Sequence, residues 1–414
     1  MLKKVMAAKL HNILNLKLIF LQLIAFSIPL APRIIPVLIL ILLIIWLYEN
    51  NFKQKWKDFK GETLFLLQPS LFLLYLLGLL WSNNMNHAVS DIETKLTLLF
   101  FPVIIFTIKI RKEQMQAIKD RFIEGCSLAI VLLFIFSSYN YYIFNDPSIF
   151  YYSSFTVHLH PSYFSLYLNF GIILVIDKII NNKLNIYWTS IYILGGLLFL
   201  ISIFLSSSRS GMLSLIFTLG LGTILMISKK WSFIMLFSFI LICASFFYLS
   251  KSAKVRFDEL IDAFEAKTIE KSTTSSSLRL WVWKMAGDIV FKNSLFGVGT
   301  GDVKDELIKK YQLEGITGAL NNKLNAHNQY FQTAIALGIP GLLILLSCLF
   351  LPFLWALKYK NWIFLIFLLL IGFNFLSESI LERQAGVIFF AFFSSIFINT
   401  KNQNSNDTIF PAKN

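Results

Sequence analysis

Three positions carry side chains that could act on a charged substrate bearing a hydroxyl. The segment Ser206-Ser207-Ser208-Arg209-Ser210-Gly211 joins two apolar runs by a very short connector and sets an arginine at the start of the second. A helix N-terminus carries the positive end of the dipole, so a cation stands there against local preference. A residue so placed is more often functional than one that agrees with its surroundings. With the free N–H groups of that helix start, Arg209 would form an anion site flanked by Ser208 and Ser210. The plain alternative is an arginine reaching for lipid phosphates. Arg279 follows Ser275-Ser276-Ser277 and could be a second anion ligand or a solvated charge. His327 lies in Asn325-Ala326-His327-Asn328-Gln329-Tyr330-Phe331-Gln332, where the chain re-enters an apolar region. A neutral imidazole there can take a proton from a hydroxyl, since imidazoles titrate near working pH. Otherwise it is an interfacial histidine that only hydrogen-bonds.

Other groupings are weaker. Gly297-Val298-Gly299-Thr300-Gly301 resembles a phosphate-cradling loop, but no strand precedes it and no lysine follows at the required spacing, so it reads as a turn. His158-Leu159-His160-Pro161 invites a metal reading that lacks a third ligand. Glu378, Glu382, Arg383 and Gln384 cluster on one connector, either as mutual ion pairs or as support for the other arginines. Cys126, Cys243 and Cys348 sit singly in apolar runs, which argues against a disulfide framework or a thiolate metal site. No metal and no cofactor is expected.

The elements that must position these residues are transmembrane helices. Of 414 residues, 56% are hydrophobic and 14% charged, where soluble domains run nearer a quarter charged. Phe is abundant, at 42 residues, which suits lipid-facing helices. Apolar runs fall at about 18–31, 34–48, 64–81, 96–108, 122–139, 161–176, 186–206, 211–227, 232–249, 341–357, 362–376 and 385–399. The expected fold is therefore all-α and polytopic, with about 12 spans. Pro29, Pro32 and Pro36 favour a tight hairpin between the first two runs, and the basic start reads as an uncleaved first span. Residues 1–249 hold spans 1–9, 250–326 one large polar loop, 327–400 the re-entry and spans 10–12, and 401–414 a tail.

Orientation follows from lysine and arginine. One set of short connectors, with both termini, carries 21 of them and the opposite set carries 4. The positive-inside rule makes both termini cytoplasmic and the large loop extracytoplasmic. The net charge of +14 then reflects topology rather than a nucleic-acid partner. Within the loop, Phe257, Leu260, Ile261 and Phe264 mark an amphipathic helix, 278–291 a second, tryptophan-bearing helix at the headgroup level, and 303–313 a third. A single helix over 328–357 would measure about 45 Å, so a break at Gly338-Ile339-Pro340-Gly341 is expected.

Taken together, Ser208-Arg209-Ser210-Gly211, the run from Arg279 through Trp283 to Asn293-Ser294-Leu295-Phe296-Gly297-Val298-Gly299, and His327-Asn328-Gln329-Tyr330-Phe331-Gln332 followed by Leu337-Gly338-Ile339-Pro340-Gly341 resemble the O-antigen ligase and O-antigen polymerase superfamily of bacterial envelope glycosyltransferases. The likeness covers about 190–345; one departure is Ser294, where the family commonly has proline. The resemblance implies a metal-independent, inverting transferase of lipopolysaccharide or polysaccharide biosynthesis at the outer face of the inner membrane. By that likeness Arg209 and Arg279 hold the pyrophosphate of an undecaprenyl-linked glycan, and His327 activates the acceptor hydroxyl. Ser208, Ser210, Asn328, Gln332, Glu378, Glu382 and Arg383 would support them. The acceptor stays open between lipid A core, another lipid-linked glycan and a protein hydroxyl. A polysaccharide transporter or flippase is the alternative of another class, disfavoured by nearly charge-free spans and the absence of an apparent internal repeat.

Overall fold

The computed structural model describes residues 2–49, 52, 55, 63–108, 110–157, 159–182, 184–226 and 275–399. The expected run 232–249, the amphipathic pattern of Phe257–Phe264, His158, Cys243 and the tail 401–414 lie outside them. Every other predicted apolar run falls on a helix.

Helices α1 (Leu2–Ser27) and α2 (Ile35–Tyr48) form the expected hairpin. Pro32 opens a 3-10 turn and Pro36 occupies the first turn of α2, where no N–H is needed. A 2.5 Å ion pair between Lys17 and Glu49 closes it. Helix α3 (Thr63–Leu77) continues through a 3-10 turn, Gly78–Trp81, before α4 (Met85–Lys95) and α5 (Thr97–Phe106) return. The ten residues of α5 rise about 15 Å, half a bilayer core. Leu96 stays in the right-handed helical region, so α4 extends α5 almost end to end. What reads as a polar connector at 82–95 is thus mostly helix, started by Asn84, whose side chain accepts the His87 N–H at 3.2 Å.

Helix α6 (Lys112–Phe144) is 33 residues long, and the single turn α7 (Tyr152–Thr156) leads to α8 (Pro161–Asn181), the most enclosed of the long helices. Helix α9 (Ile186–Leu205) packs on α8 but turns Ile193, Leu194 and Ile201 outward, and α10 (Arg209–Met226) follows. Helices α11 (Ser275–Lys292), α12 (Val303–Leu313) and α13 (Thr317–Asn321) form a layer over one end of the bundle, the loop end. Helices α14 (Gln329–Lys358), α15 (Trp362–Ser377) and α16 (Gln384–Asn399) complete the bundle. Five of these helices are long and apolar enough to cross a membrane, counting α3 with its 3-10 turn, and four shorter apolar helices stand among them. The protein is an all-α polytopic membrane protein.

A block of the phenylalanines is interior, which corrects the assignment of this residue to the lipid face. Phe170 of α8 packs on Phe393 of α16 and Phe367 of α15, with ring centroids 4.8 and 5.0 Å apart, and Phe122 of α6 reaches Phe393 at 4.9 Å. Lipid tails are as apolar as side chains, so helix association in a bilayer depends on close packing. Edge-to-face rings supply it at about 0.5–1.5 kcal/mol per pair beyond area burial.

Helix α14 breaks where expected. Gly338 has φ +67° and ψ −164°, and Pro340 has no N–H. The carbonyls of Ile335 and Ala336, which a straight helix would bond to residues 339 and 340, accept instead from Val298 N–H at 2.8 Å and Gly299 N–H at 3.0 Å. Ile339 N–H in turn donates to the Ser294 carbonyl at 2.7 Å. The glycine-rich loop is therefore a structural clasp on the broken helix. A Cβ on Gly297 would lie 2.4 Å from the Ala336 carbonyl. Ser294 contributes its carbonyl, a group that proline also has, so the departure at this position leaves the clasp intact. The loop also reaches α3 and α4: Thr300 Oγ1 donates to the Tyr75 carbonyl at 2.6 Å, and Asp302 accepts the N–H groups of Asn83 and Asn84, each at 2.7 Å.

Candidate functional site

The corner between α9 and α10 is built by serines. Ser207 takes a left-handed φ of +48°, and Ser208 Oγ caps α10 by accepting the Gly211 N–H at 3.1 Å. Ser210 Oγ lies 3.1 Å from Ser208 Oγ. Ser206 Oγ meets Ser165 Oγ of α8 at 2.7 Å, and Asn169 Nδ2 donates to the Gly211 carbonyl at 3.0 Å. Ser208 and Ser210 thus shape the turn that presents Arg209, the first residue of α10.

The motif around His327 is also mostly scaffolding. His327 has φ +44°, a conformation a non-glycine side chain adopts only when surroundings fix it. Asn325 Oδ1 accepts the His327 N–H at 3.0 Å. Asn328 caps α14 by accepting the Phe331 N–H at 3.1 Å, while its amide donates to the Leu376 carbonyl at 3.1 Å. Gln332 Oε1 accepts the Ala326 N–H at 3.3 Å, and Gln329 Oε1 accepts the Leu381 N–H at 2.7 Å. Together these bonds tie the histidine turn to the connector 378–383.

That connector supplies the hub. Glu378, buried at 7% exposure, accepts from Arg279 Nη2 at 3.0 Å and from Ser162 Oγ at 3.2 Å through Oε1, and its Oε2 lies 3.4 Å from His327 Nδ1. Burial pushes its carboxyl up, but the hydrogen bond with His327 and the charges of Arg279, His327 and His160 outweigh that and hold it below its ordinary value. His160 caps α8, its Nδ1 accepting the Ser162 N–H at 3.4 Å. Burial lowers the His160 pKa, and the attraction of Glu378 only partly offsets it.

A cavity of about 410 Å³ at the loop end has Arg209, Arg279, His327, Glu378, His160 and Tyr152 in its walls, with Ser207, Ser208 and Ser210 at one corner. The three principal residues expected from sequence therefore meet at one opening. Two of the supporting candidates do not. Glu382 pairs with the buried Lys95 at 3.1 Å, in a separate network with Asp91 and the Tyr75 ring. Arg383 is exposed away from the cavity lining. The acidic connector is thus neither a set of mutual ion pairs nor a uniform support: Glu378 alone joins the arginine and the histidine. Tyr152 and His160, both from the aromatic stretch 139–163, also stand in the walls, and the His-Pro start of α8 is a sequence signal for the second. His160 has a helix-capping role, and among the described residues no three His, Cys, Asp or Glu side chains group as a metal site.

Chemically, the cavity can bind an anion between two guanidiniums and take a proton at an imidazole backed by a carboxylate. If Nδ1 carries the proton toward Glu378, Nε2 is left as the acceptor. No curated protein matches the chain. Residues 194–346 match the family model described as O-antigen ligase. This stretch contains Arg209, Arg279 and His327, and over it the chain is similar to the O-antigen ligase family.

Proposed function

We propose that the protein is a metal-independent, inverting glycosyltransferase that moves a glycan from undecaprenyl pyrophosphate to an acceptor hydroxyl at the outer face of the bacterial inner membrane. The acceptor is lipid A core or another lipid-linked glycan. The observation that carries this reading is the convergence of Arg209, Arg279 and the His327–Glu378 pair on one cavity.

In the proposed reaction His327 Nε2 removes the acceptor hydroxyl proton as the oxygen attacks the anomeric carbon. The new C–O bond forms on the face opposite the leaving group. The bond to pyrophosphate breaks, and its electron pair departs with the phosphate oxygen. Glu378 orients the ring and stabilises the imidazolium. Arg209 and Arg279 stabilise the charge that grows on the leaving pyrophosphate, which is strongest beside a low-dielectric bilayer. Arg279 spends one N–H on Glu378 and keeps others for phosphate, since a guanidinium has five.

The test is transfer by the purified protein from a polyprenyl-pyrophosphate-linked glycan in excess EDTA. Product with inverted anomeric configuration is expected. Activity lost in EDTA and restored by Mg²⁺ or Mn²⁺ would overturn metal independence, and absence of any transfer would overturn the reading itself.

A further inference from the structure

A second and larger cavity, about 1120 Å³, lies at the loop end between the α3–α4 corner and helices α11 and α12. It is separate from the reaction centre: Arg279 and Asp288 sit nine residues apart on α11, a rise of about 14 Å, and only Asp288 lines the larger groove.

Its lining is polar and nearly balanced in charge, four carboxylates standing against three ammonium groups, Lys292 among them. Lys310 pairs with Asp288 at 3.2 Å and Glu314 at 2.8 Å, and Lys309 with Glu306 at 3.6 Å. Asp305 accepts from Asn84 Nδ2 at 2.7 Å, and Asp302 is committed to the backbone of Asn83 and Asn84. Such a surface gives little net attraction to a polyanion and little welcome to an acyl chain. On its rim Trp81 is 38% exposed and meets Phe296, 68% exposed, at 6.1 Å between ring centroids. Flat aromatic surface beside amide, carboxylate and ammonium groups matches a ligand with apolar C–H faces and hydroxyl edges. The volume exceeds the range of about 300–1,000 Å³ usual for a single small ligand, which points to several linked rings.

We propose that this groove is a glycan subsite, holding uncharged sugar units of the saccharide chain at a distance from the bond being made. The proposal rests on the glycan-transfer reading and assigns that substrate a second place on the protein. It is tested by titration calorimetry on the purified full chain with oligosaccharides of one to several repeats, cut from the surface polysaccharide of the source cell and free of lipid and pyrophosphate. Affinity should rise with fragment length. Trp81→Ala and Asn86→Arg should weaken the longest fragment at least about tenfold, which is about 1.4 kcal/mol. Asn86 is exposed, so its replacement adds bulk and charge at the rim without removing packing, and guards against a Trp81 variant that misfolds. Arg279→Ala should bind the fragments as wild type does. Affinity independent of length, an Asn86→Arg protein that binds normally, or tighter binding of sulfated oligosaccharides of equal length would overturn the subsite. Fragment binding abolished by Arg279→Ala would move the saccharide to the smaller cavity and overturn it too. A wild-type protein that binds fragments as expected yet transfers no glycan would leave the subsite standing and sink the transfer reading.

Discussion

His327 and Arg279 share one carboxylate, so their roles must be separated by what each variant loses. On the proposed mechanism Arg209 and Arg279 grip pyrophosphate, so replacing either with alanine should lower donor affinity and turnover together. Lysine should restore only part, because a point charge cannot reproduce the fork. His327→Ala should leave donor affinity nearly intact while single-turnover transfer falls by about 10²–10⁴. If it lost donor binding as severely as the arginine variants, it would belong to the pyrophosphate site instead. Glu378→Gln keeps shape and removes charge, and turnover should drop at least about tenfold through a misoriented, less basic imidazole. The same carboxylate sets an acid limit. Its folded pKa lies below the ordinary value of 4.5 despite burial. Its contribution to stability is therefore complete above 4.5 and is lost as pH falls through the folded value. Thermal melts from pH 7 downward should show the wild type losing its advantage over Glu378→Gln below about pH 4.5. A constant difference between the two across that range would remove Glu378 from the pairing.

At the scale of elements, the site depends on a helix that is broken and then held. Gly297→Ala would put a methyl against the Ala336 carbonyl and demand a left-handed φ of +68° from alanine. A cost of about 1–3 kcal/mol from the backbone alone is expected, with the clash added. Gly195, in α9, has nothing within 4 Å of its would-be Cβ. Gly195→Ala should therefore change the melting temperature little, while Gly297→Ala lowers it clearly and reduces transfer; equal effects would refute the clasp. This break was legible in the sequence because glycine and proline act locally. Arg209 and His327 were legible because their types jar with their surroundings. Glu378 was not separable from Glu382, since their partners lie far off in the chain: Arg279 is 99 residues away and Lys95 is 287. Helix α4 was hidden for a related reason. Its residues are polar enough to read as a connector, and only packing against α3, α5 and the glycine loop shows why they coil.

For the whole molecule, the alternation of helices separates two ends, and the described positive charges divide between them unevenly. Arg111, Lys112, Arg121, Lys178, Lys358 and Lys360 flank α6, α8, α14 and α15 at the end opposite the cavity. Some are neutralised in place, as Lys178 is by Asp120 at 2.7 Å and Lys119 by Asp177 at 2.8 Å. Acidic residues count little in the positive-inside rule, so the imbalance of 21 to 4 still governs insertion. On the orientation proposed from that imbalance, the end with the cavity faces away from the cytoplasm, where a polyprenyl-linked glycan would be delivered. Single cysteines introduced at exposed positions test this directly, in a background with Cys126, Cys243 and Cys348 replaced by alanine. A membrane-impermeant maleimide applied from outside should label Ser148→Cys and Lys304→Cys, both exposed at the loop end. Glu113→Cys and Lys360→Cys, exposed at the other end, should react only after the membrane is opened. Labelling of Lys304→Cys only in opened membranes would put Arg209, Arg279 and His327 on the cytoplasmic side. The acceptor and donor assigned to them would then have to be abandoned together, because neither substrate could meet the other there.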